Sequence, residues 1–488
     1  MVGDQHPAPV GPEVADHRVQ QHRLAAAGAA HDGHDLGAPH LEVHAEQHAV
    51  APKRLVHAFD ARLWGRIRAR RGLGHRGAAY RIAARHAVSA RTIGGVIYLD
   101  NNATTRPSPG VIEAVRRALE QDWANPSSIH RPGQSARRVV ELARESVAAL
   151  IGARARDVVF TSGGTESIDL AFRGALRATG RRVVVTTAVE HEAVRSLCDA
   201  LETTGVEVRQ IPLARGGVAD ADALPGLLTD DVALVSVQWA NNETGAVQPV
   251  ERIGALCRER RIPFHCDGTQ WAGKMPTDIS ATPIDLLTLS AHKLHGPKGV
   301  GALAIRRGTP LAPVLHGVQE QERRGGTENV PGIAGFGAAA EEARAWFAEA
   351  SNRDRLGALR DRFEQRVLER VPDAHVNGPA DPWRADHPTR LWNTTNIAFP
   401  RLEAEALLML LSEKGVCASA GAACSSGSLE PSPVLLAMGV APEYAHGAIR
   451  FSLSRESTWD ELERAAAIIE QCVGRLRASM PQSSNEPA

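Results

Sequence analysis

Residues 285–293 read Asp-Leu-Leu-Thr-Leu-Ser-Ala-His-Lys, a short apolar run that ends in a hydroxyl, an imidazole and an amine. A continuous apolar run of this length is typical of a strand that is buried on both faces. Similar runs lie at 157–161, 182–187, 232–239, 263–266 and 301–305. Segments of helix length separate them, so we predict an α/β fold whose mainly parallel sheet is covered by helices on both faces.

The chain around these runs carries its own helix and strand signals. Val139, Ala143, Val147, Leu150 and Ile151 fall on one face of a helix. A helix-rich bridge around 338–370 leads to further strands at 395–399 and 448–453. The last helix opens with a capping-box pattern, Thr-Trp-Asp-Glu at 458–461. These signals predict a large domain at 111–350, a smaller α+β domain at 351–480 and a disordered tail at 481–488, with residues 96–110 joining the small domain.

Residues 1–95 differ from the rest in composition. They are rich in Ala, Gly, Arg and His, and the part from 61 to 95 contains arginines but no acidic residue. A His-rich tract can bind metal, and an Arg-rich tract can be a transit peptide, but this one lacks a basic amphipathic start. We expect a disordered extension or a start codon assigned too far upstream, since the first methionine after Met1 is Met275.

Composition limits the classes of partner. Lys plus Arg equals Asp plus Glu at 56 each, so no overall charge attracts nucleic acid or an anionic membrane. No apolar stretch reaches the roughly 18 residues that a transmembrane helix needs. The 6 cysteines show neither a disulfide framework nor paired metal ligands, which favours a reducing, cytoplasmic location. We expect Cys198, Cys257, Cys266 and Cys472 to be buried as small apolar side chains.

Polar side chains follow the apolar runs, and ligands of parallel sheets bind at the carboxyl ends of the strands. Thr-Ser-Gly-Gly-Thr-Glu-Ser at 161–167 would suit a phosphate at a helix start, although an ordinary strand-to-helix turn looks the same. Asp267 has two interpretations: it caps the next helix, or it pairs with a protonated ring nitrogen. Lys293 is a solvated surface charge or a buried amine that forms a Schiff base. Together they suggest a pyridinium cofactor.

A series of short motifs extends this interpretation from Ile97 to about Met480. They are Tyr98-Leu-Asp-Asn-Asn-Ala-Thr-Thr105, Asn125-Pro-Ser-Ser-Ile-His130, the segment 160–167, Val189-Glu-His-Glu192, Ala240-Asn-Asn-Glu-Thr-Gly245, His265-Cys-Asp-Gly-Thr-Gln270, the segment 290–299, Arg324-Gly-Gly-Thr-Glu-Asn-Val330, Cys424-Ser-Ser-Gly-Ser-Leu-Glu-Pro431 and Ile449-Arg-Phe-Ser452. In this order they resemble the class V aminotransferase family, and within it the NifS/IscS cysteine desulfurases, most closely the nitrogen-fixation NifS type.

The resemblance implies a pyridoxal 5′-phosphate (PLP) enzyme of fold type I, whose large domain contains a mainly parallel sheet of seven strands. It implies that Lys293 is the Schiff-base lysine and that Asp267 keeps the pyridine nitrogen protonated. His191 is then the imidazole that stacks on the ring and transfers protons. Asn242 and Gln270 correspond to groups that hydrogen-bond the ring oxygen.

The remaining family positions concern phosphate and substrate. Those that correspond to the phosphate site are Gly164, Thr165, Ser290 and His292. Thr327 corresponds to a phosphate ligand donated by the neighbouring subunit, which implies a homodimer. Arg450, together with Asn242, corresponds to the group that binds the substrate carboxylate, where a guanidinium can make two parallel hydrogen bonds.

Cys424 lies in a run of small residues that cannot pack a core, so we predict a mobile loop at about 417–430. A structural cysteine would lie in an apolar strand or helix, which is where we place Cys417. The resemblance implies that Cys424 is the catalytic thiol that receives sulfur as a persulfide. Through that persulfide it could also become a ligand of an iron–sulfur metal.

The predicted function is that of a PLP-dependent cysteine desulfurase. It converts L-cysteine to L-alanine and passes the sulfur through Cys424 to an iron–sulfur scaffold protein, with nitrogenase maturation as one possible destination. A selenocysteine lyase, or another PLP lyase or aminotransferase on the same fold, is an alternative that Cys424 argues against. A non-catalytic regulator or scaffold is a second alternative, and the combination of Lys293, Asp267 and His191 argues against it.

Overall fold

The computed structural model describes residues 95–420 and 430–479 of the 488-residue chain. Almost all of the predicted N-terminal extension, the segment that contains Cys424 and the predicted tail lie outside these ranges. The elements below are numbered in chain order.

A seven-stranded sheet forms the centre of the fold. In spatial order its strands are β2 (Val158–Thr161), β10 (Gly301–Ile305), β9 (Leu286–Ser290), β8 (Phe264–Asp267), β7 (Val232–Gln238), β3 (Val183–Thr186) and β4 (Glu207–Gln210). Only β10 runs antiparallel to its neighbours. The predicted mainly parallel sheet is therefore confirmed, and every predicted apolar run is one of its strands.

β4 is the strand that the apolar runs did not reveal. Its sequence is Glu-Val-Arg-Gln, and it pairs only with β3 at one edge of the sheet. An edge strand keeps one side in contact with water, so it tolerates charged residues that a central strand excludes.

Successive strand residues point to opposite sides of the sheet, and in the central strands both sets are mainly apolar. Helices therefore cover both faces of the sheet. On one face, residues such as Val159, Val184 and Leu234 pack with α3 (Gly164–Thr179) and α4 (Glu192–Glu202). On the other face, the core includes residues of α1 (Pro109–Gln121), α2 (Arg131–Leu150), α5 (Val250–Glu259) and α6 (Val330–Ala348). The predicted stripe is part of this second core, with Ala143, Val147, Leu150 and Ile151 buried and Val139 partly buried.

The C-terminal part has a separate core. An antiparallel sheet of β11 (His375–Val376), β12 (Thr394–Ala398) and β14 (Ala448–Ser452) packs with α7 (Ala350–Arg370), α8 (Ala404–Glu413) and α11 (Trp459–Ser479). The predicted capping box before α11 is present, since the Glu461 N–H donates to Thr458 Oγ1 and the Thr458 N–H to Glu461 Oε2. The predicted domain limit at 350 and 351 stays a prediction.

The N-terminal segment joins the C-terminal part. β1 (Ile97–Tyr98) pairs in parallel with β13 (Val416–Cys417), and Asp100 bridges to Ser452 in β14. This pairing brings the residues after β1, Asn101 and Asn102, into the protein interior, where both are buried.

The remaining strands and α-helices of the described residues are short. They are the hairpin of β5 (Leu213–Ala214) with β6 (Val218–Ala219), and the helices α9 (Pro433–Ala437) and α10 (Pro442–Ala445). No described helix combines the length and apolar character that a membrane crossing would need.

Candidate active site

A cavity of about 490 Å³ lies at the carboxyl ends of the central strands. Of the predicted site residues that the structure describes, all except Thr327 line it; the lining set comprises Gly164, Thr165, His191, Asn242, Asp267, Gln270, Ser290, His292, Lys293 and Arg450. These residues are spread over almost 290 positions of sequence, from 164 to 450. Because the parallel strands end at one edge of the sheet, the fold brings them together.

One end of the cavity has the chemistry of an anion site. Gly164 and Thr165 are the first residues of α3, whose N-terminus offers unpaired backbone N–H groups. A Cβ at Gly164 would come within 3.3 Å of Thr269 Oγ1, so a larger residue would crowd this end of the cavity. The first-turn carboxylate of α3, Glu166, is bound by Arg324 at 2.7 Å. That ion pair occupies the carboxylate, which therefore does not compete with a phosphate for the N–H groups at the start of α3.

His292 also lines this region, in the single 3₁₀ turn (Ala291–Lys293) that follows β9. Its Nδ1 lies 3.1 Å from Thr104 Oγ1. Burial, together with the positive charge of Lys293, lowers the pKa of His292 to about 4. At neutral pH the ring is therefore uncharged, and it can act as a hydrogen-bond donor through one nitrogen.

Lys293 lies in the same turn, one residue later. Its Nζ donates to two backbone carbonyls of the N-terminal segment, those of Asn102 and Ala103, the second at 2.9 Å. These contacts hold the amine at the cavity wall, which agrees with the predicted buried-amine interpretation and disagrees with a solvated surface lysine.

Asp267 is the last residue of β8, and 6 % of it is exposed. Its Oδ1 accepts a hydrogen bond of 2.9 Å from the Thr269 N–H, so it caps its own turn as well as lining the cavity. A buried carboxylate has a high cost unless a positive or hydrogen-bonding partner offsets it. A protonated ring nitrogen would be such a partner.

His191 is the N-cap of α4 and lines the same cavity. Its Nδ1 accepts a 3.1 Å hydrogen bond from the Ala193 N–H, so in the neutral ring the hydrogen is on Nε2. Burial lowers the pKa of His191 below its usual value, although the charge of Asp267 acts in the opposite direction. A neutral imidazole in this position can stack on an aromatic ring without adding charge.

Two buried carboxyl groups of the cavity were not predicted. Glu190 is completely buried, and this burial raises its pKa to about 8. Glu243 accepts a 2.6 Å hydrogen bond from Ser432 Oγ, and burial raises its pKa as well. Both adjoin predicted site residues in the sequence, but their burial arises only from tertiary packing.

Arg450 and Asn242 form a second polar corner. Arg450 is 1 % exposed; its Nη1 donates to the Asn242 carbonyl at 3.1 Å and its Nη2 to Asp100 Oδ1 at 2.7 Å. Asp100 was not assigned a role from the sequence. Asn242 Oδ1 is buried and has no hydrogen-bond partner within the described residues. An unpartnered buried polar atom beside a cavity suits a site that binds a polar group.

Thr327 lies apart from this cavity. It borders a second, smaller cavity of about 100 Å³ together with Ser162, Arg324 and Gly326. The structure therefore does not bring Thr327 to the site of its own chain.

Cys424 lies outside the described residues, but both described ends of its segment lie near the cavity. Ser419 pairs with Arg450 through backbone hydrogen bonds of 3.2 and 2.7 Å, and Glu430 and Pro431 line the cavity wall. Within residues 95–420 and 430–479 no cluster of His, Cys, Asp and Glu could hold a metal ion.

The other cysteine predictions can be compared directly with the structure. Cys198, Cys257, Cys266 and Cys472 are buried free thiols, as predicted. Cys417 is partly buried at the end of β13. Burial raises the pKa of the Cys417 thiol, with a further contribution from Asp100.

The cavity residues fit PLP. The start of α3, Ser290 and His292 offer N–H and hydroxyl donors for a phosphate, and Lys293 offers the amine for the aldehyde. Asp267 offers the carboxylate for the ring nitrogen. Asn242 Oδ1, which has no hydrogen-bond partner among the described residues, offers a buried acceptor for a polar group of the cofactor. A single cavity thus combines the groups that such a cofactor requires.

Comparison with known proteins agrees with a cavity that binds PLP. The family model described as aminotransferase class-V matches residues 97–465. A cysteine desulfurase of Nostoc sp. is 47% identical over 393 residues, which is 80% of this chain and 96% of that protein. The cysteine desulfurase NifS of Azotobacter vinelandii is 46% identical over 395 residues, with 80% and 96% covered. A solved NifS-like protein is similar with a TM-score of 0.71 and 34% identity, covering 78% of this chain and 100% of that one.

Proposed function

The chain belongs to the class V aminotransferase family and is a PLP-dependent cysteine desulfurase, and we propose that Lys293, Asp267, His191, Arg450 and Cys424 carry its reaction. The observation that supports these roles most strongly is that the first four residues line one cavity, together with Glu430 and Pro431, the first described residues after the segment that bears Cys424. The substrate is L-cysteine, and the sulfur passes to an acceptor.

Each residue has a task that its surroundings support. Arg450 binds the substrate carboxylate through its guanidinium, and Lys293 holds the cofactor and then exchanges the α-proton at Nζ. PLP, when bound, supplies an electron sink that weakens the bonds at the substrate's α-carbon and, through it, the carbon–sulfur bond. When PLP is bound, Asp267 would keep the proton on its ring nitrogen, and the neutral His191 would pack against its ring.

Sulfur transfer then requires a nucleophile. The Cys424 thiolate attacks the substrate sulfur, a sulfur–sulfur bond forms, and the carbon–sulfur bond breaks with its electron pair going to carbon. Protonation of that carbon gives L-alanine, and Cys424 keeps the sulfur as a persulfide. L-cysteine and one enzyme thiol are consumed, and L-alanine and one enzyme persulfide are produced, so no external oxidant is needed.

The substitution Cys424→Ser tests this assignment. The variant should bind PLP and L-cysteine normally but release almost no alanine and carry no persulfide, because a hydroxyl is a much poorer nucleophile than a thiolate. Cys417→Ser is the matched control and should remain active. Alanine release at the wild-type rate from Cys424→Ser would show that sulfur leaves without this thiol, and the lyase alternative would replace the desulfurase mechanism.

We further propose a homodimer in which Thr327 completes the phosphate site of the partner. Thr327 lies away from its own chain's cavity, so a role in cofactor binding needs a second copy. Large apolar side chains are also exposed in this chain: Trp123 by 74%, Ile129 by 91% and Val318 by 78%. Contiguous exposed apolar patches are typical of protein–protein contacts, and we propose that these three side chains belong to such a patch at the subunit contact.

The acceptor and location complete the proposal. An iron–sulfur scaffold protein is the proposed acceptor, with nitrogenase maturation as one destination. Cys424 holds the sulfur covalently as a persulfide, and through that persulfide it is a transient ligand of an iron–sulfur metal. We propose a cytoplasmic location, because the five described cysteines are free thiols, as in a reducing compartment. Transfer of ³⁵S from the loaded chain to a purified scaffold protein would test the acceptor.

A further inference from the structure

A second lysine, Lys274, lies behind the cavity wall. It follows Gln270 by four residues in the turn after β8, and 5 % of it is exposed. Its backbone N–H donates to the Trp271 carbonyl at 3.1 Å, and its own carbonyl accepts 3.1 Å from Trp392 Nε1. The backbone of Lys274 is thus fixed on both sides, and its side chain is directed into the interior.

The Lys274 amine contacts two side-chain amides. Nζ donates to Gln270 Oε1 at 2.7 Å and to Asn102 Oδ1 at 2.9 Å. A side-chain amide has one end that accepts and one that donates, and the two ends have nearly the same shape. The amine donates to the oxygen of each amide, and the Asn102 carbonyl on the other side of Gln270 can only accept, so the Gln270 oxygen faces Lys274.

For Gln270 this determines which group faces the cavity. With Oε1 facing Lys274, Nε2 lies on the other side and donates to the Asn102 carbonyl at 3.0 Å. The same carbonyl accepts from Lys293 Nζ. The second hydrogen of Nε2 is then the group that Gln270 presents to the cavity, beside the proposed cofactor-binding amine.

A merely structural role accounts poorly for a lysine at this position. Burial lowers the pKa of Lys274 well below its usual value, and the nearby Lys293 and Arg450 act in the same direction. Burying an amine costs free energy that an apolar side chain of similar length would avoid. Without the lysine, the side-chain amides of Gln270 and Asn102 could also rotate by 180°, which would exchange their oxygen and nitrogen positions.

We propose that Lys274 is a positioning residue that fixes the Gln270 amide with its N–H toward the ring oxygen of PLP. Lys274 has this role only if Gln270 contacts the cofactor, as the proposed function requires. It touches neither substrate nor cofactor, since within the described residues it does not line the main cavity.

A double-mutant cycle tests the coupling. Apo forms of the wild type, Lys274→Met, Gln270→Leu and the double variant are titrated with PLP, and Kd is measured by tryptophan fluorescence. Each single variant should raise Kd about 5- to 10-fold, which corresponds to the loss of one hydrogen bond. The double variant should bind as weakly as either single variant, because both remove the same contact. The visible absorption band of bound PLP should shift equally in the two single variants.

Lys414→Met is the matched control, because Lys414 is an exposed lysine after α8. It should leave both Kd and the absorption band unchanged. Effects of Lys274→Met and Gln270→Leu that multiply in the double variant would overturn the positioning role while leaving the cofactor assignment intact. A wild type that fails to bind PLP would instead contradict the proposed function.

A second variant tests the direction of the amide without altering Lys274, in case Lys274→Met does not fold. Gln270→Glu keeps the shape and the acceptor that faces Lys274, but it has no N–H to present to the cavity. It should therefore weaken PLP binding at least as much as Gln270→Leu. Wild-type affinity in Gln270→Glu would show that the oxygen faces the cofactor, and the proposal would be wrong.

Discussion

Glu190 should make the stability of this protein depend on pH in a way that one substitution removes. Its carboxyl is completely buried next to His191, and it accepts hydrogen bonds from Thr187 Oγ1 at 2.8 Å and from the Gln238 N–H at 3.0 Å. Burial raises its pKa from 4.5 to about 8, the charge of Asp267 adds to this, and the two hydrogen bonds reduce it. Glu190→Gln keeps the size of the side chain and cannot ionise.

The sign and size follow from the two pKa values. Between pH 4.5 and about 8 the folded protein keeps a proton on Glu190 that the unfolded chain has lost, so the free energy of unfolding falls as pH rises. At about 1.4 kcal/mol for each pH unit, the whole window corresponds to about 5 kcal/mol. Between about pH 5.5 and about pH 8, Glu190→Gln should gain about 3 kcal/mol relative to the wild type.

Buried histidines have the opposite effect on the pH dependence of the free energy of unfolding. His265 and His292 both have pKa values lowered to about 4, mainly by burial, so they cost stability as pH falls below 6.5. They are present in both proteins and cancel in the difference between variant and wild type. The comparison therefore isolates Glu190.

Urea unfolding of the apo proteins at one protein concentration would measure this difference at several pH values. Glu192→Gln is the control, because Glu192 is an exposed carboxylate two residues away. Its profile should follow the wild type within about 0.5 kcal/mol. Parallel profiles for Glu190→Gln and wild type would refute the reasoning, since Glu190 would then be ionised in the folded protein.

Three further predictions concern the proposed roles. Lys293→Ala should bind PLP without covalent attachment, so borohydride reduction should fix no cofactor to the chain; retention of reducible cofactor would mean that another lysine holds it. Asp267→Ala should lose about 100-fold or more in kcat, as expected when a fixed charge at the reacting group is removed, whereas near-normal turnover would show that the ring nitrogen lies elsewhere. Trp123→Asp should halve the mass measured by light scattering, with the exposed Glu113→Gln as control; an unchanged mass would place the subunit contact on another surface.

The central sheet could be predicted because its strands are buried on both faces and therefore read as continuous apolar runs. The same logic failed for β4, whose position at the sheet edge allows Glu207 and Arg209. Lys293 and Asp267 could be found because they stand directly after such runs, and His191 was recognised from its motif. Cys424 was recognised from its motif, and its assignment stays a prediction.

The groups that the sequence did not reveal take their chemistry from distant partners. Glu190 and Glu243 look like ordinary surface carboxylates in the sequence, and only complete burial raises their pKa values. Lys274 looks like an ordinary surface lysine, and only the fold places it against Gln270 and Asn102.

The sequence by itself determined the α/β class and the central apolar strands, and the resemblance of its motifs to a known family indicated the amine, the acid and the thiol proposed for the reaction. These properties depend on local patterns, since burial and strand-end position are encoded within a few consecutive residues. The tertiary structure decided which charges are buried, how Asn102 reaches the centre of the site, and that Thr327 lies away from the cavity of its own chain. These properties depend on contacts between residues that are far apart in the chain, because desolvation and hydrogen bonding act through space.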